Sequence, residues 1–469
     1  MCQYRAFNSA LESLYSDCEP STFADSGVEP LDFDDETFNN AARLIFETGH
    51  FDASMLSDPA VVELIKQTFN ILSSAIGHGV AYEVPETLRY ALENNAFTFS
   101  GFKTFHALRE VGLSLLTPNG DIKPFNTFLN DVKAINSRYN HNYLRAEYQQ
   151  AVAASQMAVR WHEFEKDGDR YDLQYRTAND SRVREEHAIL HNTTLPASDP
   201  FWDSFLPPNG WGCRCTTVQV RKGKYPTSDP ELAMRRGQNC TDGAKRKIFR
   251  YNPGKTMELF PPKHPYRKAP AEAKTVIEDV ARREHNRTIY ERLKNDPDYT
   301  DVEFDETTGG VKATHKGHSL QDAENTETFF ENMKPADLER ECHNLLYQWG
   351  HSAILRNEFA NKKMRKTPPS LDIEIDGKIM DIRSITQGGL FGNALMAKNR
   401  QLANVKKKTG IISDCVCLHF HDPNIFSEEK LLHDAEWFKQ TIQNVGSTQR
   451  IKHIYVVING ASELKIYDI

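Results

Sequence analysis

The amino-acid sequence predicts an α+β protein, and three features of its patterning carry that expectation. Apolar residues recur at helical spacing early in the chain, as at Val62, Leu64, Ile65, Phe69 and Leu72. The stretch from Tyr175 to Val218 breaks that periodicity and is dense in Pro, Trp, His and Cys. Near the end, Leu371, Ile373 and Ile375 alternate with Asp372, Glu374 and Asp376, the period of a half-buried strand. The expected organisation is a helical region at 1–95, a mainly helical domain at 96–266, a charged helical linker at 267–317 and a small α/β domain with a hairpin-bearing sheet at 318–469.

A chain of 469 residues has length for two or three domains with real cores. A net charge of −8 excludes a generally basic nucleic-acid binder, so any such contact must be local. The eight cysteines are scattered without a framework pattern, as suits reduced thiols made in a cytosol. No apolar run approaches a membrane span, and the first residues, MCQYRAFNSA, lack the apolar core of a signal peptide.

In chain order, Ser21–Glu36 is acidic and turn-rich and reads as a flexible lead-in. Helices are expected at Thr37–Phe46 and Pro59–Ile76, a second helical block from Phe97, and a long Ala- and Gln-rich helix over Tyr143–Phe164. The polar turn Thr177–Asp180 then caps a helix carrying Arg182, Arg184 and His187, with His191 four residues on and on the same face. Pro207-Pro208-Asn209-Gly210-Trp211 forces a turn that closes on Cys213-Arg214-Cys215, and Thr216, Val218 and Val220 follow with strand alternation.

The order D-x-R-V-R-x-x-H, then F-W, then P-P-N-G-W-x-C-R-C resembles the signature of the phage Mu protein F family of minor head proteins, with Asp180, Arg182, His187, Trp211, Cys213 and Cys215 at the matching positions. The likeness extends upstream over Ala96–Arg160 and downstream to Tyr266. It implies a virion component bound near the portal, with portal and capsid proteins as partners, made in the bacterial cytoplasm. Two readings of the Cys and His residues stay open. In one, Cys213, Cys215 and His187, with Asp180 or His191, hold Zn²⁺, which suits a thiolate–imidazole set. In the other they pack a small core, and the tight C-x-C spacing favours this second reading.

Beyond Val220 the chain reads as an irregular arm, with a basic run at Lys245–Arg250. Gly254-Lys255-Thr256 has the last letters of a P-loop, but Phe249 stands where its first Gly belongs. Ala271–Asn295 reads as a charged, solvent-exposed rod and Asp296–Gly317 as a domain boundary.

In the last region Leu338, Cys342, Leu345, Leu346 and Trp349 sit at helical spacing, with Gly350 as C-cap. A strand at Ser352–Phe359 and the basic stretch NKKMRKTPP precede LDIEIDGKIMDIRSI, where Asp376-Gly377 is a two-residue hairpin turn. That turn puts Ile375 opposite Lys378, Ile373 opposite Met380 and Leu371 opposite Ile382. It also sets Asp372 against Asp381, where like charges destabilise a sheet unless a cation or shared proton intervenes. Helices at Phe391–Lys408 and Glu428–Asn444, with strands at Cys415–His419, Ile451–Ile458 and Leu464–Tyr467, complete the domain.

This order resembles two nuclease families. One is the PD-(D/E)xK core, in which Asp372 and Asp381-x-Arg383 take the acidic and basic motif positions, Glu341 is the leading acid, and Mg²⁺ is the implied cofactor. Leu371 replaces that family's Pro, and Arg383 its usual Lys. The other is the tRNA-cleaving C-terminal toxin domain of CdiA-type proteins, whose D-x-x-I-D-G-K-x-x-D-I-K/R-S stretch fits over a greater length and needs no metal. It implies acid/base and phosphate-binding roles for Asp381, Arg383, Ser384 and His419. In either case Lys362, Lys363, Arg365, Lys366 and Lys398 are positioned in sequence to hold a nucleic-acid backbone. The combined expectation is a phage or prophage head protein whose C-terminal toxin cleaves RNA, tRNA first and DNA second. It would be delivered with the particle into a target cell's cytoplasm and opposed by a cognate immunity protein. A purely structural head protein is the alternative.

Overall fold

The computed structural model describes residues 2–16, 32–80, 83–318, 334–357, 370–386 and 391–469. The chain divides into two compact units, Met1–Ala281 and Arg282–Ile469, and the architecture is α+β.

The first unit opens with α1 (Cys2–Tyr15), α2 (Asp35–Thr48), α3 (Pro59–Ser73), α4 (Glu86–Ser114) and α5 (Phe125–Asn136). Local chemistry sets the starts of α2 and α3. Asp34 and Asp58 accept the backbone N–H groups of Glu36 and Ala60, and Pro59 occupies the first turn, where its missing N–H costs nothing. The expected helix at Tyr143–Phe164 is α6 (Leu144–Asp167), entered from α5 through a π turn at Ser137–Tyr143. Aromatic packing fills the core between helices: Phe99 stacks on Phe260 at 3.7 Å between ring centroids.

Next comes a three-stranded antiparallel sheet of β1 (Tyr171–Arg176), β2 (Thr194–Pro196) and β3 (Thr216–Arg221), with β1 central. The helix expected from Arg182 to His191 is reduced to one turn, α7 (Glu185–Ala188), because Asp180 accepts the N–H of Arg182 in a turn instead of capping a helix. His191 therefore lies outside it. After α8 (Phe201–Phe205), the supposed irregular arm contains a true helix, α9 (Pro230–Cys240), capped by Asp229 onto the N–H of Leu232. Two short turns follow, α10 (Ala244–Lys247) and α11 (Pro253–Thr256). The charged helix is α12 (Ala271–Leu293), and the division between units falls within it. It is not an exposed rod: Ala273, Ile277 and Ala281 are buried in the first unit's core, against the Gly101 gap, where a Cβ would meet Ile277 at 2.6 Å.

The second unit is built on one eight-stranded sheet. Its elements are β4 (Tyr299–Phe304), β5 (Val311–His315), α13 (Pro335–Gln348), β6 (Ser352–Leu355), β7 (Ile373–Ile375), β8 (Lys378–Ile385), α14 (Phe391–Thr409), β9 (Cys415–Phe420), α15 (Glu428–Asn444), β10 (His453–Ile458) and β11 (Lys465–Asp468). The strands lie in sequence order across the sheet. The segment read as a boundary, Asp296–Gly317, supplies the β4–β5 hairpin. Pairs β5/β6, β8/β9 and β9/β10 are parallel, and each is joined through a helix, as a parallel crossover requires.

Two cores cover the two faces. Ile373, Ile375, Met380, Ile382, Cys415 and Cys417 pack with Cys342 and Leu346 of α13. On the other face Val416, Leu418 and Phe420 pack with Leu395 of α14 and Phe438 of α15. Complete burial of a Leu or Phe of this kind stabilises by roughly 1.5–3 kcal/mol.

Candidate functional site

Three clusters of chemistry-bearing side chains stand out, one in the first unit and two in the second. In the first unit, the chain from β1 to β3 wraps a small aromatic core of Tyr175, Phe201, Trp202 and Phe205. Tyr175 donates its phenol to Asn209 (2.9 Å), and the Arg184 guanidinium donates to the Trp211 carbonyl (2.6 Å), so the Pro-rich turn is held from both sides. Trp211 is buried and stacks on Tyr15. The Arg214 guanidinium makes two hydrogen bonds to Asp180, at 2.6 and 2.7 Å.

This arrangement brings His187, Cys213 and Cys215 together. The Nδ1 of His187 lies 3.5 Å from the Cys213 sulfur and 3.6 Å from that of Cys215. His187 is 3% exposed, and both cysteines are free thiols. Hydrogen bonding from Cys215, aided by His187, holds the Cys213 thiol well below its usual range against the cost of burial. Burial opposes the charged imidazole, but Cys213 and Cys240 outweigh it and push His187 up to about 10. Neither extra residue expected from the sequence joins the cluster. Asp180 is committed to Arg214, and the Nδ1 of His191 accepts from Thr177. Cys240, on α9, went unread in the sequence because its separation from Cys215 matches no ligand spacing.

In the second unit the hairpin turn has the left-handed backbone a two-residue turn needs, with φ of 46° at Asp376 and 74° at Gly377. The ladder places Ile375 opposite Lys378 and Ile373 opposite Met380, in the expected register. It then stops. The Asp372 carboxylate accepts the N–H of Ile382 (2.9 Å) in place of a backbone carbonyl, and Leu371 packs in the α14–α15 core instead of facing Ile382. Asp372 and Asp381 therefore do not form the expected cross-strand pair.

The Asp381 carboxylate, 2% exposed, is neutralised from α14. Lys398 forms an ion pair with it, and Gln401 donates to it at 2.5 Å. Burial pulls the Lys398 ammonium below the usual lysine range, against the attraction of Asp372 and Glu339. On the opposite face Ser384 lies 3.1 Å from the Nδ1 of His419, whose Nε2 is 3.1 Å from Glu341. His421 meets the same carboxylate at 2.7 Å. Burial raises the Glu341 pKa, yet the hydrogen bonds from His419 and His421 more than offset it, and the carboxyl lies below its ordinary value. A cleft lined by Asp337, Arg340, Glu341, Asn344 and Asn459 opens beside it.

The five predicted catalytic residues thus separate. Asp372 and Asp381 gather around Lys398, Glu341 and His419 form a second group across the sheet, and Arg383 is exposed on β8. Lys362, Lys363, Arg365 and Lys366 lie outside the described residues. The sequence reading passed over Glu339 and Gln401, because only the fold carries α13 and α14 to the ends of β7 and β8.

Comparison with known proteins bears on the first unit. Residues 123–218 match the family described as Phage Mu protein F like protein, so the loop bearing the Cys and His residues belongs to an F-like domain. A Mu-like prophage FluMu F protein from Haemophilus influenzae is 32% identical over 159 residues, covering 32% of this chain and 37% of the relative. The protein F of Escherichia phage Mu, whose name ascribes capsid assembly to it, is 52% identical over 42 residues, or 9% of this chain and 10% of that protein. The alignments span a little over a third and about a tenth of these relatives. No solved structure matches the chain. No described helix is long and apolar enough to cross a membrane.

Proposed function

We propose that this chain is a phage or prophage head component whose second unit is an endonuclease acting on RNA, with tRNA as the expected substrate. The F-like match supports the head role, and the name of the phage Mu relative supports capsid proteins as partners, with the portal among the expected head contacts. The nuclease reading rests chiefly on one observation: a buried aspartate, a second carboxylate and a lysine of depressed basicity converge where β7, β8 and α14 meet. Two carboxylates offer the hard oxygen donors that Mg²⁺ takes, and Lys398 can stabilise charge developing on a phosphate. Lys398, not Arg383, then fills the basic role. In this reading particle delivery places the nuclease in a target cell, and a cognate immunity protein would restrain it in the producer.

A metal-free reading draws on the Glu341–His419–His421 group, which the cleft beside Glu341 favours. Incubating the full chain with total tRNA and with plasmid DNA, in Mg²⁺ or in EDTA, separates the two. Cleavage that needs Mg²⁺ and is lost in Asp381→Ala and Lys398→Ala supports the first reading. Cleavage that survives EDTA but fails in Glu341→Gln supports the second. A folded protein that cuts neither substrate has a structural second unit.

A further inference from the structure

We propose that His187, Cys213 and Cys215 bind one Zn²⁺ in the first unit, tying α7 to the Pro-rich turn. His187 lies on α7 and the two cysteines on the turn before β3, yet the fold brings them together, and their ligand atoms all lie within 4.8 Å of one another.

The distances select the metal. Zinc bonds of ~2.3 Å to sulfur and ~2.0–2.1 Å to nitrogen, at a tetrahedral angle, set N and S about 3.5–3.6 Å apart. The two observed Nδ1–S separations are 3.5 and 3.6 Å. Hydrogen bonding alone accounts poorly for this geometry, since a single Nδ1 presents one lone pair or one proton yet stands almost equidistant from two thiols. A cation on that axis satisfies both. The surroundings suit thiolate ligands, because the backbone N–H of Asn209 points at the Cys213 sulfur, and Tyr175 holds Asn209 in place. Three protein donors fill three of the four tetrahedral positions, with His187 and Cys213 buried and Cys215 half-buried. A catalytic Cys213–His187 pair would need an accessible sulfur, and Cys213 is buried.

The test measures metal content of the full chain, purified without chelator under reducing conditions. One zinc per chain is expected, falling to near zero in Cys213→Ser and Cys215→Ser. Cys215→His, which supplies another zinc ligand, should retain the metal and so distinguishes lost coordination from lost folding. Co²⁺ added to the stripped protein should give the intense visible bands of a tetrahedral thiolate site, weakened in Cys215→Ser. A folded, reduced protein that carries no zinc and gives no such bands overturns the proposal. Unchanged stoichiometry and spectrum in Cys215→Ser overturn the assignment of Cys215 as a ligand.

Discussion

Each unit sets a lysine against a buried carboxylate, and the two pairs differ in how completely they are enclosed. In the first unit Lys103 of α4 meets Glu147 of α6 at 2.6 Å, with side chains 1% and 0% exposed. Tyr15 donates to the same carboxylate (2.8 Å) and contacts His264 (3.2 Å), so the charges sit in a closed shell of protein donors. In the second unit the Lys398–Asp381 pair is 16% and 3% exposed, with Asp372 and Glu339 also drawing on the lysine. An enclosed pair with both carboxylate oxygens hydrogen-bonded locks helices together. A pair that keeps a route to solvent and further acids nearby can exchange partners, as the proposed nuclease site needs.

Breaking the enclosed pair should have the largest effect on stability. Lys103→Met leaves Glu147 charged in an apolar core and should destabilise the first unit by about 3–5 kcal/mol, whereas adding Glu147→Leu should recover most of that loss. Hydrogen exchange across α4 and α6 reads both changes, and a single-variant loss under about 1 kcal/mol would contradict the comparison.

Lys398→Met should behave in the opposite sense. It should cost only about 1–2 kcal/mol, the scale of one partly exposed polar contact, while cleavage falls by on the order of 100-fold. A variant that unfolds before it loses activity would place Lys398 with Lys103 as a structural cation.

A smaller effect is expected at the hairpin. Gly377→Ala forces a Cβ onto φ of 74° and should cost about 1 kcal/mol, measured by denaturant midpoint, with the sheet register intact.

The smallest effect is a pH dependence at Glu341. Its folded-state carboxyl lies below the unfolded value, so the stabilisation is complete above about pH 4.3 and is lost as pH falls through the lower folded value. Glu341→Gln should flatten the acid limb of the thermal-stability curve and leave the neutral region nearly unchanged. An acid limb identical to the parent's would remove Glu341 from that account.

Much of this was legible in the chain where local chemistry decides structure. Glu428–Asn444 is a helix over the residues its periodicity marks, started by Ser427 onto the N–H of Lys430. The Asp376-Gly377 turn fixed which residues face each other across β7 and β8, because only that turn chemistry suits the strand twist. The density of Pro, Trp, His and Cys in 175–218 pointed to a segment that lies wholly within the F-like match.

Side-chain meetings across long separations were decided by the tertiary structure alone. Cys213 reaches His187 because the Pro-rich turn folds back beside α7, and Lys398 reaches Asp381 because the β8–α14–β9 crossover folds the helix back over the sheet. The expected Asp372–Asp381 opposition failed for a similar reason: a side-chain oxygen took the N–H that a backbone carbonyl would have accepted, and the ladder ended two residues early. Periodicity reports which face of an element is apolar. It carries no term for which donor wins a hydrogen bond, or for which helix arrives to neutralise a buried charge. Those outcomes depend on competition among groups that become neighbours only once the chain has folded.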